Sequence, residues 1–368
     1  MYSELTSISD QGANTLSPYV DTEEISLNAF ITFLSGINEK IFVGLGDGSV
    51  QSYRESAELS SINKQSYAVR GLPICAAVDP NTASIFVGTD NSELLEISEN
   101  LSTNNSPSTN NGLSTNNGLS TRVTLEKGWI EHVAVSSSGL IAYSVNKTCY
   151  VLSQNGHLHE IHQPQGTITG LQFNSDSSSL AIARYGGVAL WSVSEQKIIC
   201  ELEQKGAHLN LSWSPDDQYL VTATPDKEIH CWEIPTKTSF RMRGYPSKIR
   251  SFCWSADGKH LAAAGADSVT VWPFVNGNPS GKPPYEFGYS FKGAVTEVAA
   301  HPSEAVIAAG YDNGTVLIGK YLKGEAIIAR APSAETVSAM AWSADGSKLF
   351  VGTDTGKLSR IRLKTLDF

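Results

Sequence analysis

One stretch of this 368-residue chain has the spacing of a phosphate-binding loop. It runs from Gly314 to Lys320, but Tyr321 stands where such a loop places the Ser or Thr that contacts magnesium. The middle of the stretch is an apolar β-run rather than a turn that leads into a helix. We therefore predict a strand here and no nucleotide site.

A second set combines three histidines with one glutamate, residue types that bind transition metals. Its members are His157, His159, Glu160 and His162. Successive side chains of a strand point to opposite faces, so His157 and His159 would share a face while His162 would point away. The spacing favours an exposed outer strand and its turn, and a metal-ligand set is the alternative.

The cysteines and the remaining motifs offer little chemistry. Five cysteines are scattered without a C-x-x-C pair, which favours small buried thiols in a reducing compartment over a disulfide or a metal cluster. The sequence has no Gly-x-Ser-x-Gly nucleophile elbow. We predict no catalytic residue, no cofactor and no metal.

The elements that must position any site are visible as a repeat. Eight short apolar runs recur at spacings of 40 to 45 residues, with one gap of 55 residues. A period of this length indicates one supersecondary unit copied along the chain, whose copies must stack to bury their apolar faces. The runs begin at Ile41, Ile85, Leu140, Leu180, Leu220, Leu261, Val306 and Leu349.

Each run is followed by a tight polar turn, such as Asp47-Gly48 or Gly186-Gly187, and by a second run. Asp, Asn and Gly suit such hairpin turns because they tolerate left-handed backbone geometry. Another strand precedes each hairpin and ends in its own turn, as at Trp213 and Trp254. Three antiparallel strands per unit are therefore predicted, with room for a fourth.

The segment from Leu211 to Glu233 resembles a WD repeat, whose units form the four-stranded blades of a β-propeller. The resemblance extends over residues 25 to 363 and implies one all-β, eight-bladed propeller, with seven blades as the alternative. The closing Trp-Asp of the family reads Trp232-Glu233 or Trp272-Pro273 here. Stretches at residues 128–131, 244–254 and 265–274 are also similar to a group of bacterial WD-repeat proteins without an assigned activity.

The resemblance also suggests a domain organisation. Residues 25–368 would form the propeller, and residues 1–24 would supply a closing outer strand, around Asn14 to Val20, to the last blade. The gap of 55 residues contains a six-residue polar repeat at 101–121, which we expect to be a disordered insertion. Ring closure would leave no large exposed sheet edge.

Composition limits the partners. The net charge of -10 makes nucleic acid an improbable ligand, since nucleic-acid binders need a basic surface. Arg241, Arg243, Lys248 and Arg250 form the basic group that such a role would require. No apolar stretch approaches the ~20 residues of a membrane span, and Met1 to Thr6 lacks the features of a secretory signal. We expect a monomeric cytoplasmic protein.

In a WD-repeat propeller, one face consists of the loops that lead into each first strand and the turns between each second and third strand. Tryptophan, tyrosine and arginine are frequent at binding hot spots. The resemblance places nine candidate partner-binding residues on this face, and ordinary loop packing is the alternative role. They are Trp129, Glu131, Arg184, Tyr185, His208, Tyr245, Lys248, Arg250 and Tyr311.

The predicted function is a non-catalytic scaffold that binds a protein or peptide through this face. Enzymatic propellers gather polar residues around the central channel. A propeller hydrolase or lyase with a site at the channel mouth is therefore the alternative.

Overall fold

The structure, a computed structural model, describes residues 16–55, 58–59, 64–79, 81–98, 118–289 and 293–366. These residues form eight four-stranded antiparallel sheets, and each sheet is one blade of a β-propeller. The prediction of an eight-bladed all-β propeller is confirmed, and the alternative of seven blades is wrong.

The first four blades each use four consecutive strands, ordered from the central channel outward. Blade 1 contains β2 (Ile31–Ile37), β3 (Lys40–Leu45), β4 (Ser49–Arg54) and β5 (Gln65–Ala68). Blade 2 contains β6 (Pro73–Asp79), β7 (Ser84–Thr89), β8 (Glu93–Ile97) and β9 (Leu119–Thr124). Blade 3 contains β10 (His132–Val135), β11 (Ile141–Val145), β12 (Thr148–Leu152) and β13 (Leu158–His162). Blade 4 contains β14 (Ile168–Phe173), β15 (Ser179–Arg184), β16 (Gly187–Ser192) and β17 (Lys197–Glu203).

Blades 5 to 7 follow the same order. Blade 5 contains β18 (Leu209–Trp213), β19 (Tyr219–Ala223), β20 (Ile229–Glu233) and β21 (Thr238–Met242). Blade 6 contains β22 (Phe252–Trp254), β23 (His260–Ala263), β24 (Val269–Pro273) and β25 (Tyr285–Phe287). Blade 7 contains β26 (Val295–Ala300), β27 (Ile307–Tyr311), β28 (Val316–Lys320) and β29 (Glu325–Arg330).

Blade 8 joins the two ends of the described chain. It contains β30 (Val337–Trp342), β31 (Lys348–Thr353) and β32 (Lys357–Leu363), and its outer strand is β1 (Val20–Ser26). Strand β1 pairs antiparallel with β32, from Val20 opposite Leu363 to Ser26 opposite Lys357. The predicted closure by an N-terminal strand is therefore confirmed.

The position of this strand differs from the prediction. It begins at Val20, where the predicted strand ended, and the proposed domain boundary after residue 24 falls inside it. Val20 is buried in the cluster between blades 7 and 8, and Glu23 and Glu24 bind arginines. These contacts fix the register of β1 against β32. The residues that make them are more than 300 positions apart in the sequence. Residues 1–15 lie outside the described residues.

The segment 101–121 also needs a correction. Leu119, Ser120 and Thr121 begin β9, the outer strand of blade 2, so the predicted disordered insertion ends too late. Ser120 is buried, and Leu119 packs against the cluster between blades 1 and 2. The chain enters the outer strand while the polar repeat continues in the sequence. The part of the predicted insertion at 101–117 lies outside the described residues.

The hydrophobic core is divided among the blade interfaces. Eight clusters of buried apolar side chains lie between neighbouring blades, one for each interface around the ring. The cluster between blades 8 and 1 joins Phe350 and Leu358 to Ile41, and therefore seals the ring. Because each blade buries apolar side chains on both faces, no blade is an isolated folding unit.

Hydrogen bonds between first strands reinforce these interfaces. A Ser or Thr hydroxyl at or just before the start of one first strand donates to a main-chain carbonyl oxygen in, or just before, the neighbouring first strand. The pairs are Thr169–His208, Ser251–Val298, Thr296–Val337 and Ser338–Ile31. These hydroxyls are therefore engaged in holding adjacent blades together.

The tryptophans that end the first strands β18, β22 and β30 have structural roles. The indole N–H of Trp213 donates to the carbonyl oxygen of Gln172 in the preceding blade, at 3.2 Å. Trp342 bonds Ala299 of its preceding blade in the same way, at 3.1 Å. Trp254 packs against Phe274, with ring centroids 4.8 Å apart. The P-loop-like stretch is likewise structural, because Val316–Lys320 is strand β28.

Candidate functional site on the upper face

The antiparallel strand order assigns every connection to one of two faces. The upper face consists of the loops that lead into the first strands and the turns between the second and third strands. The lower face consists of the turns between first and second strands and between third and fourth strands. All nine predicted site residues lie in or next to upper-face connections, but four of their side chains are exposed, four are buried and one, Glu131, is half-buried.

Four of the nine side chains are buried, which corrects their prediction as direct contacts. They are Arg184, His208, Tyr245 and Tyr311, each no more than 7% exposed. Their hydrogen-bonding groups are directed into the blades. A partner at the upper face would not reach these side chains unless the blades rearranged.

Each of the two buried tyrosines has a hydrogen-bond partner in another strand or loop. The hydroxyl of Tyr245 accepts a hydrogen bond from the indole of Trp272 at 2.7 Å. The hydroxyl of Tyr311 donates to the carbonyl oxygen of Gly288. A buried phenol needs such a partner, because an unpaired hydroxyl would lose its hydration without compensation.

Arg184 and His208 hold neighbouring connections in place. Arg184 donates to Gln163 at 2.7 Å and forms an ion pair with Glu201. His208 bonds the hydroxyl of Thr222 at 2.8 Å, and its ring lies 5.2 Å from that of Trp232. Burial lowers the pKa of His208, so its imidazole stays neutral near neutral pH.

Trp129 is the most exposed aromatic side chain of the predicted set, at 59%. Its neighbours are held firmly: the Ser92 hydroxyl donates to the carbonyl oxygen of Gly128 at 2.6 Å, and the Ile130 amide donates to Thr89 at 3.0 Å. Ile130 itself is completely buried. The loop therefore presents an indole to solvent from an ordered backbone, which lowers the entropy cost of binding.

Tyr185 occupies the hairpin turn of blade 4 and is 53% exposed. The next two residues, Gly186 and Gly187, have φ values of +90° and +131°, conformations that a glycine adopts without strain. Gly186 exchanges main-chain hydrogen bonds with Gln204 and Gly206 in the following loop. The turn thus holds Tyr185 at the upper surface.

Lys248 and Arg250 are exposed in the loop that leads into blade 6, and Ile249 between them is buried. The Ser247 amide and hydroxyl both donate to the carbonyl oxygen of Gly265, at 3.1 and 2.8 Å. This alternation directs the cationic side chains outward while the loop remains anchored.

Glu131 is half-buried just before the first strand of blade 3.

Across the ring, Glu297 lies in the first strand of blade 7, near Ser251 and Arg250. Burial raises the pKa of Glu297 to about 7, although the Ser251 hydrogen bond and the Arg250 charge oppose the shift. Sequence reasoning missed Glu297, because its burial depends on the neighbouring blade.

Sequence reasoning also missed two exposed aromatic residues of this face. Phe30 is 46% exposed in the loop before β2, and its ring lies against Gly46. Tyr289 is 38% exposed in the loop before β26, and its hydroxyl donates to Glu286. Their positions in loops that lead into first strands were the available signal. The exposed set is Phe30, Trp129, Tyr185, Lys248, Arg250 and Tyr289.

The parts of the chain that the structure describes contain no group of three or more His, Cys, Asp or Glu residues arranged to hold a metal ion. They also contain no helix with the length and apolar character needed to cross a membrane. All five cysteines are free thiols, and Cys149 and Cys231 are buried.

Comparison with known proteins supports the repeat assignment. Residues 201–233 and 236–272 match the family "WD domain, G-beta repeat". Each match starts in the outer strand of one blade and continues through the first three strands of the next. The sequence repeat is therefore offset by one strand from the structural blade.

Two proteins of Dictyostelium discoideum are similar to parts of the chain. Anaphase-promoting complex subunit cdc20 is 26% identical over 152 residues, which cover 39% of this chain and 30% of that protein. Protein HIRA is 28% identical over 91 residues, which cover 21% of this chain and 8% of that protein. The chain therefore spans less than a third of either relative.

A solved structure agrees over nearly the whole fold. The crystal structure of the computationally designed Ika8 protein superimposes with a TM-score of 0.73 at 16% identity, and covers 92% of this chain and 97% of the designed one. At this identity the likeness concerns the fold alone. The chain is thus an eight-bladed β-propeller in which two segments match the WD domain, G-beta repeat family.

Proposed function

We propose that this propeller is a non-catalytic scaffold that binds a protein or peptide partner through its upper face. The observation that carries the proposal is the outward presentation of Trp129, Tyr185, Lys248 and Arg250 by connections whose backbones are anchored. Large aromatic and cationic side chains of this kind are the usual anchors of protein interfaces. Their positions on several blades suit a partner that spans part of the ring.

The similar proteins support the same class of function. Anaphase-promoting complex subunit cdc20 is, by its name, one subunit of a larger assembly. A rigid ring with loops from several blades is suited to such a role, because preorganised loops pay less entropy on binding. The predicted kinship with bacterial WD-repeat proteins, the monomeric state and the cytoplasmic location remain parts of the proposal.

Two rival functions are less well supported. A catalytic channel would need free polar groups, whereas Ser and Thr hydroxyls of several first strands bond the next blade. A nucleic-acid surface would need Arg241 and Arg243 to face phosphates, but both form ion pairs with Glu228, at 3.3 and 2.8 Å. The upper face is better suited to a protein partner.

The test is affinity capture from cells with the wild-type chain and with the variant Trp129→Ala/Tyr185→Ala/Arg250→Glu. Each substitution lies at an exposed side chain, so we expect the variant to fold like the wild type. Captured partners should fall at least tenfold, as two or three anchor residues usually carry most of the binding energy.

The matched control changes exposed apolar residues away from the upper face. Leu322 lies in a lower-face turn and Ile199 in an outer strand, with 50% and 46% exposure. Leu322→Ala/Ile199→Ala should retain the partners. If the control loses them while the upper-face variant keeps them, the proposed face is wrong.

A further inference from the structure

A pair of histidines lies close together on the lower face of blade 3. His157 precedes β13 and His159 lies within it, and their ring centroids are 4.5 Å apart at an interplanar angle of 81°. Residues two apart in an extended chain point to the same side, which explains the contact. His162 is separate: its ring bonds the Thr148 hydroxyl at 3.4 Å.

The pair lines a small cavity between blades 3 and 4. The cavity has a volume of about 190 Å³, and its wall includes Ser153, Asn155 and Trp191. Trp191 is almost fully buried, and its ring centroid lies 5.8 Å from that of His159. The histidines are therefore backed by an aromatic wall and open to solvent on the other side.

The separation of the rings suits joint binding of one ion. Imidazole nitrogens bind zinc at about 2.0–2.1 Å, and two of them at an angle of roughly 90–110° place their ring centroids about 4.5–5 Å apart. The observed 4.5 Å lies at the lower end of this range. Coordination requires that one nitrogen of each ring points toward a common position, and the χ2 torsion of histidine is broad enough to allow the rings to turn.

We propose that His157 and His159 form a binding site for one divalent transition-metal ion. Neutral imidazoles are good ligands for Cu²⁺, Ni²⁺ and Zn²⁺, and poor ligands for Mg²⁺ and Ca²⁺. The Asn155 side-chain oxygen already accepts hydrogen bonds from Ser153 and His157. Because this oxygen is already engaged, Asn155 would not be a third ligand. Water or a donor atom of a bound molecule would fill the other coordination positions of the ion.

The other histidines of the chain are poorly placed to bind a metal ion from solution. His208, His230, His260 and His301 are each no more than 4% exposed. Burial also lowers the pKa of His132 to about 4, in an interior position between blades 3 and 4. Among the eight histidines of the chain, His162 is the exposed neighbour that serves as a control.

The experiment is isothermal titration of the full chain with Cu²⁺, Ni²⁺ and Mg²⁺ salts in a weakly coordinating buffer at pH 7.5. We expect one site, tighter for Cu²⁺ than for Ni²⁺, with no Mg²⁺ binding. His157→Ala and His159→Ala should each weaken Cu²⁺ binding at least about tenfold, since even residues that only support a ligand contribute about 10- to 100-fold. His162→Ala should leave it unchanged.

Fluorescence provides a second readout that locates the ion. Bound Cu²⁺ should quench part of the tryptophan emission, and Trp191→Phe should remove most of that quenching while the titration still shows one site. Equal Cu²⁺ affinity and stoichiometry in the wild type and in His157→Ala/His159→Ala would overturn the proposal. Absence of Cu²⁺ binding by the folded wild type would overturn it as well.

Discussion

At the residue scale, side-chain direction decides which members of the repeat face a partner. Tyr245 and Lys248 stand three positions apart in the same loop, yet Tyr245 is buried and Lys248 is exposed. Tyr245 turns inward because Trp272, 27 residues later, supplies its hydrogen-bond donor. The sequence period predicts the loop, but this pairing across strands depends on the folded blade.

Glu297 gives a prediction that depends on pH. Its pKa rises from an ordinary 4.5 to about 7 in the folded chain, so the folded state binds more protons than the unfolded state between these values. Stability therefore falls as pH increases from 4.5 to 7. We expect Glu297→Gln to raise the free energy of unfolding at pH 8 by about 1 to 3 kcal/mol.

Urea denaturation at several pH values measures this effect. The difference between the variant and the wild type should shrink as the pH falls and approach zero below pH 4.5, where the wild-type carboxyl becomes protonated in both states. A difference of the same size at pH 5 and pH 8 would show that the substitution acts through packing rather than through the charge of Glu297.

At the element scale, the hairpin of blade 4 depends on two glycines with different demands. Both have positive φ, but a Cβ on Gly186 would meet no atom within 4 Å, whereas one on Gly187 would overlap the carbonyl oxygen of Leu202. Gly186→Ala should cost about 1 to 2 kcal/mol of stability. Gly187→Ala should cost about 3 kcal/mol or more, since steric overlap adds to backbone strain.

The comparison is made by equilibrium urea unfolding of the two variants. Because they are neighbours in one turn, each is the control for the other. Equal losses would mean that the close approach of Gly187 to β17 is not maintained in solution. The two glycines in the sequence indicate this turn. The sequence does not show which of them lies against β17, because that contact depends on the folded blade.

The closing strand β1 is held by charges as well as by its backbone. Glu24 receives hydrogen bonds from Ser359 at 2.8 Å and Arg330 at 3.1 Å, and its other oxygen pairs with Lys357 at 3.0 Å. Burial opposes ionisation, but these hydrogen bonds and the charge of Arg330 outweigh it. The pKa of Glu24 therefore lies below its ordinary value.

Glu24→Gln should lower the free energy of unfolding by about 1 to 2 kcal/mol at pH 7. A depressed carboxyl pKa stabilises the fold above pH 4.5 and loses this effect as pH falls below it, so the deficit should shrink in acid. Thermal unfolding at pH 7 and pH 3.5 measures both results. Glu195→Gln is the control, because the pair Glu195–Lys197 is more than half exposed at both ends.

A deficit that persists undiminished at pH 3.5 would contradict the ionic role of Glu24. The sequence predicted closure by an N-terminal strand, and the structure confirms it. The exact residues escaped prediction because β1 pairs with β32 across almost the entire length of the chain. Its partners Arg330 and Ser359 belong to blades 7 and 8.

At the scale of the whole molecule, eight interfaces of similar construction form a closed ring. Each interface contains its own apolar cluster, which is the physical counterpart of the sequence period. The period predicted stacked repeat units, since each unit must bury its faces against a neighbour, and the resemblance to a WD repeat implied that these units are propeller blades. It was insufficient to predict the site, because the repeat does not determine which loop residues are exposed.

The central claim is that this ring binds its partner at the upper face. Its most direct test is hydrogen exchange of the backbone amides, measured by mass spectrometry with and without the captured partner. We predict slower exchange at residues 126–131, 184–187 and 244–251, and unchanged exchange in the lower-face turns at residues 153–157 and 320–325. Protection confined to the lower-face turns, with the three upper loops unchanged, would contradict the account.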